Sequence, residues 1–416
     1  MREMKDSGIE SFGAIPKEWK ITKLKTILTL RSEKNSGDRE LLSVYLNSGV
    51  ISYSDSTGMQ VHKPSQDLSN YQNVYIGDFV LNNQQAWRGS VGVSRYNGII
   101  SPAYFVYKID KGCNSSFMNC LLRDSSMVQQ YENASRGVGT IQRNIFAPWL
   151  LESLIALPEY EEQSKIATFL ESKCSEIESL VFDIQSQIEA LEEYKRSVIT
   201  EAVTKGLDPD AEMKDSGVDY LGKMNAKWKL TKLRYICEKL NRYFRSDAEP
   251  LICSNKGEVF PRGDNPVGLI SDNDKMFQGV HKGDLLIHGM DTWHGAIAVS
   301  DYDGKCTTVV HVCDSNQNKY FICYFLQMLA IKSVYKAISN GVRENTSDFR
   351  SWDKAGHIYI TLPDIDEQNR IAEYIKEKVE LINAIIAKKK QQIETIEEYK
   401  KSLIFEYVTG KKEVQV

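Results

Sequence analysis

The chain lacks an apolar run long enough for a membrane span, a paired-cysteine motif, and any marked excess of positive charge. Its longest apolar run, Tyr320 to Ile331, is broken by Gln327 and reads as a buried helix. Eight cysteines are present, but none forms a CxxC pair, so free and mostly buried thiols are expected. Met1 to Glu10 is charged and has no apolar centre, which does not read as an export signal; a cytoplasmic protein without membrane contact is expected. Between 161 and 204 neither Pro nor Gly occurs, which permits one unbroken helix.

Charge is short on the positive side, with a net value of −4. Its distribution matters more than its sum. The balance is about +2 over 26–150, about −1 over 236–361 and roughly −7 over 159–204. The acidity is therefore concentrated in the expected long helix, and the flanking stretches keep Arg and Lys that can face phosphates.

What the chain does have is a second copy of itself. Leu157 to Ile199 returns as Leu362 to Ile404, and Met4-Lys5-Asp6-Ser7-Gly8 returns as Met213-Lys214-Asp215-Ser216-Gly217. Trp19-Lys20 likewise becomes Trp228-Lys229. A chain of two similar halves suits a ligand that offers two related sites, and duplex DNA is such a ligand.

Leu170, Ile177, Ile184, Leu191 and Val198 recur every seven residues, with Leu180, Val181 and Ile188 beside them. The second copy keeps the spacing at Ile375, Ile382, Ile396 and Leu403, with Lys389 breaking the series. Such a seam predicts two long helices that pair with each other. About 40 residues at 1.5 Å each make a rod of about 60 Å. The first rod is acidic and the second mixed, which makes them mates; the alternative is two separate amphipathic helices, each lying on its own domain.

The segments 26–156 and 236–361 are strand-like, with turn signals at Tyr96-Asn97-Gly98 and Asp301-Tyr302-Asp303-Gly304. They share a faint frame. Gly77-Asp78 matches Gly283-Asp284, Trp87-Arg88-Gly89 matches Trp293-His294-Gly295, and a helix over Phe117 to Leu122 matches Phe321 to Leu326. One fold with two different surfaces is expected.

The run Leu-Pro-x-x-x-Glu-Gln-x-x-Ile-Ala, at Leu157 to Ala167 and Leu362 to Ala372, resembles the framing helices of type I restriction-modification specificity subunits. The joint Thr204 to Pro209 before Met213 to Gly217, and the stretch Gly139 to Asn144, resemble that family too. The second copy departs by lacking the Pro of Ile15-Pro16 and by placing Thr346-Ser347-Asp348 opposite Gln142-Arg143-Asn144. The resemblance implies an α+β chain with an internal pseudo-twofold repeat. Two mixed α/β target-recognition domains would be separated by two long antiparallel helices in a coiled coil. The division is then 1–25, a framing segment; 26–156, the first recognition domain; 157–205, the central helix; 206–235, the framing segment again; 236–361, the second recognition domain; and 362–416, the last helix. It implies a non-catalytic subunit that reads an asymmetric bipartite site on double-stranded DNA. Two methyltransferase subunits would dock on the helices and restriction motor-nuclease subunits would join them. S-adenosylmethionine, ATP and Mg would be held by those partners, with no cofactor or metal on this chain.

Catalytic constellations were sought in the residues themselves. Gly137-Val138-Gly139 is too short for a dinucleotide loop and reads as a turn before a helix. His281, His288, His294 and His311 lack metal-ligand spacing and read as polar strand or loop residues. The alternatives are a self-sufficient or fused restriction-modification enzyme, a recognition subunit of another antiphage methylation system, or a bare coiled-coil scaffold. Bases are read mainly by Arg, Asn and Gln. That chemistry selects Asn83, Gln84, Gln85 and Arg88, then Gln142, Arg143 and Asn144, in the first domain. The matching positions in the second are Thr292, His294, Arg343, Asn345 and Thr346. For Trp87 and Trp293, core packing is the expectation.

Overall fold

The computed structural model describes residues 2–35, 37, 39–56, 64–138, 142–263, 276–338 and 349–415. The chain divides into two compact units, Met1–Ile184 with Gln391–Val416, and Gln185–Lys390. Among the described residues no helix is long and apolar enough to cross a membrane.

The first unit opens with a hairpin, Met4–Asp6 against Ala14–Pro16. The repeated Asp-Ser-Gly is there because it closes the bend with side chains: Asp6 Oδ1 accepts from Gly8 N at 3.0 Å, and Ser7 Oγ accepts from Ile9 N at 3.0 Å. Lys5 Nζ donates to the Trp19 carbonyl at 2.7 Å. Four antiparallel strands follow in the order Leu28–Leu30, Tyr104–Ile109, Asp78–Asn82 and Val91–Val93. On one face sit the helices Ser115–Arg123 and Ser125–Asn133. Trp19, Phe79, Tyr107, Phe117 and Tyr131 meet there, all nearly fully buried. A smaller core of Leu42, Val44, Val50, Val74, Val80, Ile100 and Val106 fills another side. Asp78 is buried but paired, accepting from Arg31 Nε at 2.7 Å and Nη2 at 3.0 Å, which offsets its desolvation.

The second unit repeats this plan. Met213–Asp215 pairs with Lys223–Asn225, and Asp215 and Ser216 close the bend through Gly217 N and Val218 N at 2.9 and 3.1 Å. Its four strands run Glu238–Leu240, Val310–Asp314, Leu285–His288 and Ile297–Val299. The apolar run noted in the sequence is the helix Lys319–Ile331, with Phe321, Ile322, Phe325, Leu326, Met328 and Leu329 buried. Buried Asp284 accepts from Arg242 as Asp78 does from Arg31.

Two long helices, Tyr160–Lys205 and Ile365–Val408, complete the fold. A strand precedes each: Leu154–Leu157 pairs with Lys20–Lys23, and Tyr359–Leu362 with Lys229–Lys232. The repeated Pro and Gln then lock each helix to its sheet and cap. Gln163 Nε2 donates to the Pro158 carbonyl at 2.9 Å while its Oε1 accepts from Asn114 N at 2.9 Å. Asn114 in turn caps the helix Ser115–Arg123 through Phe117 N. Gln368, Pro363 and Asn318 repeat the arrangement at 2.9 and 3.0 Å, and Asn318 caps through Phe321 N. The repeated Trp joins the same lock, with Trp19 Nε1 on Glu162 and Trp228 Nε1 on Glu367. Gly206, at φ +88°, ends the first long helix in a left-handed cap that a side chain would strain.

The helices pair antiparallel within each unit. In the first, Phe169 stacks near Tyr407, with ring centroids 4.6 Å apart, and Lys400 Nζ meets Glu178 Oε1 at 2.7 Å. The partner number falls as the number on the first helix rises. In the second, Lys389 donates to Gln187 Oε1 and Lys195 to Asn383 Oδ1. Lys389, the break in the apolar series, thus serves as a polar bridge. Leu170, Ile177, Ile184, Val198, Ile375, Ile382 and Leu403 are buried, whereas Leu191 and Ile396 are half-buried. The adjoining stripe is only partly used: Ile188 is buried, but Leu180 stays 48% exposed, because a two-helix seam is narrow.

Two expectations are corrected and one is sharpened. Gly137 does not lead a turn into a helix; it lies in the strand Ser135–Val138, which pairs with Gln142–Ile145 as a hairpin. The backbone there pairs across to the returning strand instead of turning directly into a helix. His311 is the polar strand residue expected, within Val310–Asp314. It is fully buried, with Nε2 donating to the Phe349 carbonyl at 2.6 Å. The strongly acidic character of the first helix yields one interhelical ion pair among the described residues, Lys400–Glu178, since most of its carboxylates sit off the seam.

Candidate nucleic-acid interface

In the first unit the strand Asp78–Asn82 ends in a tight turn built by its own backbone. Gln85 N bonds to Asn82 O at 3.1 Å, Arg88 N to Gln85 O at 3.0 Å and Gly89 N to Ala86 O at 2.7 Å. Gly89 closes it at φ +101°, a conformation that a side chain would strain. The hairpin Ser135–Ile145 docks onto the turn through Ile145 N on the Asn83 carbonyl at 3.0 Å. Two clusters far apart in sequence are thereby joined: Asn83, Gln84, Gln85 and Arg88 with Arg143 and Asn144.

Their surroundings differ. Gln84 and Arg88 are exposed, while Asn83 and Gln85 are half-buried. Asn83 Oδ1 is buried without a partner among the described residues. Trp87 is half-buried, not core, because its Nε1 turns to the Gln84 carbonyl at 3.0 Å and its ring lies under two guanidinium groups. Arg88 and Arg143 lie 4.6 and 5.1 Å from the ring centroid. The fully buried tryptophans are instead Trp19 and Trp228. Arg143 also pairs with Glu132 at 2.6 Å. Asn144 is exposed on the other hairpin face, opposite Arg136 in register. Gln142 begins the return strand.

Arg136 went unnoticed in the sequence. Its guanidinium carbon lies 3.4 Å from the Phe146 ring centroid and 4.4 Å from that of Trp149. The readable signal was Phe146 and Trp149 spaced three apart beside a basic strand.

The second unit builds the same turn from different residues. Asp291 N bonds to His288 O at 3.1 Å, His294 N to Asp291 O at 3.0 Å and Gly295 N to Thr292 O at 2.9 Å. Phe349 N reaches the Gly289 carbonyl at 3.1 Å, as Ile145 N reaches Asn83. Thr292 is 1% exposed and packs inside, which removes it from the surface; His294 faces outward. Trp293 is half-buried, with His294 stacked at 3.9 Å and Lys336 Nζ 4.3 Å from the ring centroid. Burial lowers the pKa of His288, despite nearby Asp291. Arg343, Asn345 and Thr346 lie outside the described residues.

No group of three His, Cys, Asp or Glu residues able to hold a metal occurs among the described residues. The cysteines are free thiols, and burial holds Cys237, Cys306 and Cys323 at about 12. Such thiols stay protonated and inert. An open cleft of about 1120 Å³ lies along the second half of the first long helix, lined by Ile188, Glu192, Arg196, Leu221, Ile331 and Lys390.

No family model matches the chain. A curated protein of Methanocaldococcus jannaschii, named "Putative type I restriction enzyme MjaX specificity subunit", is 25% identical over an alignment of 435 positions, covering 96% of this chain and 95% of that protein. A solved chain from work on complex assembly and conformational transition of the type I R-M system superposes with a TM-score of 0.70 at 14% identity, covering 96% of this chain and 99% of its own length. The HsdS subunit of Thermoanaerobacter tengcongensis gives 0.50 at 14% identity, over 96% and 98%. From end to end and in both copies of its frame, the chain resembles type I restriction-modification specificity subunits in sequence and shares their fold.

Proposed function

We propose that the chain is the DNA sequence-recognition subunit of a type I restriction-modification complex. One observation carries this reading: two turns with matching backbone hydrogen bonds present different side chains, Gln84 and Arg88 in one unit and Met290 and His294 in the other. Equal scaffolds with unequal letters suit two different half-sites. Each unit reads one half of an asymmetric bipartite site, and the helix pair sets the unread spacer.

The helices also dock two methyltransferase subunits, and restriction motor-nuclease subunits join them. The chain itself performs no chemistry. S-adenosylmethionine, ATP and Mg belong to the partners. Half-sites one turn of duplex apart are about 34 Å from each other, within reach of a rod of about 60 Å.

Comparing adenine methylation in the host with and without the gene tests the proposal. Loss of one asymmetric bipartite motif is expected. An unchanged methylome, or adenine methylation by the purified chain given S-adenosylmethionine, would overturn it.

A further inference from the structure

The hairpin Ser135–Ile145 has two faces, because residues directly opposite in an antiparallel pair point the same way. Arg143 occupies one, turned to Trp87 and paired with Glu132. Arg136 and its cross-strand partner Asn144 occupy the other, and both are exposed.

Arg136 is held in an unusual way for this chain. Arg2, Arg31, Arg95, Arg234, Arg242 and Arg245 spend their donors on carboxylates. The Arg136 guanidinium makes no hydrogen bond or ion pair among the described residues; aromatic faces hold it instead, at 3.4 Å from Phe146 and 4.4 Å from Trp149. Phe146 and Trp149 brace each other edge to face at 5.2 Å. Stacking fixes the plane of a guanidinium but leaves its N–H edge unspent. A fixed fork with open donors is pre-organised for a bidentate acceptor pair. Beside it Asn144 offers a carboxamide, the group that matches adenine as a guanidinium matches guanine.

We infer that Arg136 is a DNA-contacting residue of the first unit, taking a paired-acceptor edge of duplex DNA: O6 and N7 of a guanine, which would make it read sequence, or two phosphate oxygens, which would make it fix position. The inference rests on the DNA-reading function proposed above. Phe146 and Trp149 position the fork, and Asn144 reads the neighbouring base.

The test uses the full chain, in the complex in which it purifies from its host, and a library of randomised duplexes about three helical turns long. Wild type, Arg136→Ala, Arg136→Lys and Trp149→Leu are each taken through selection, sequencing and a salt titration. If Arg136 reads guanine, R136A loses roughly 10-fold of the preference for G at one position and keeps its salt slope. R136K then fails as well, and W149L loses part of the same preference. If the fork holds phosphate, R136A weakens all sequences evenly, the slope falls by about 1, and R136K restores both. An R136A chain with wild-type preference, affinity and slope would overturn the inference while leaving the DNA-reading function standing. A wild-type complex that selects no sequence would overturn that function, and this assignment with it. Melting curves of the variants report whether the fold is kept, which the exposure of Arg136 favours.

Discussion

His311 lies wholly inside the second unit, with Nε2 committed to the Phe349 carbonyl and Nδ1 without a partner among the described residues. Burial lowers its pKa, and the nearby charges of Lys239 and His288 push the same way. The unfolded chain therefore binds a proton near pH 6.5 that the folded chain refuses until lower pH. Its stability contribution is complete above pH about 6.5 and is lost as pH falls below it. His288, also lowered by burial, acts in the same direction. Melting of the second unit should fall in temperature between pH 7.5 and 5.5, and His311→Phe should flatten part of that slope. Parallel slopes for the two proteins would count against the assignment. Gln163 supports a second expectation. Removing its side chain in Gln163→Ala unpairs Asn114 N and the Pro158 carbonyl together. Buried groups left unpaired cost about 1–3 kcal/mol, readable as a lowered urea midpoint. Gln368→Ala should do the same in the second unit.

Among the elements, each long helix buries its first turns in the core of a unit, with Leu170 in one and Ile375 in the other. Leu170 is fully buried in the first core, so Leu170→Ala should cost about 2–5 kcal/mol in denaturant unfolding. Leu180, one turn-stripe over and 48% exposed, should cost far less when truncated. Equal losses at both positions would show that the seam is wider than the structure gives. These helices were legible because a seven-residue period sustained over 40 or more residues has few other meanings. Their pairing followed from the shared seven-residue seam, and their antiparallel direction from the family resemblance. The recognition turns were less legible. Whether Trp87 is core or platform depends on Arg143, which approaches from a distant strand. Thr292 offers a hydroxyl suited to base contact yet is 1% exposed, because residue type cannot say which side of a turn faces inward. Arg143 and Asn144 looked like one cluster, yet strand alternation sends them to opposite faces. Arg136 was passed over because its value lies in two aromatic neighbours and not in its own local run.

For the molecule as a whole, the proposal gives the helix pair the role of a ruler. One heptad added to each long helix at matched positions keeps the seam in phase. It lengthens a rod by about 10 Å at 1.5 Å per residue. At about 3.4 Å per base pair along the duplex, the unread spacer should grow by about 3 base pairs with both half-sites kept. Methylome sequencing reads this directly, and altered half-sites with an unchanged spacer would refute the role.

The turn at Asn82 to Gly89 and its counterpart at His288 to Gly295 have a further consequence. Their shape is fixed by backbone bonds that do not depend on which side chains project from them. Exchanging the exposed Gln84 side chain should therefore alter stability by no more than about 0.5 kcal/mol. Such positions can drift between bases while the rest of the chain is held to its packing. A lineage carrying this turn can acquire a new target by single substitutions, without first crossing a poorly folded intermediate.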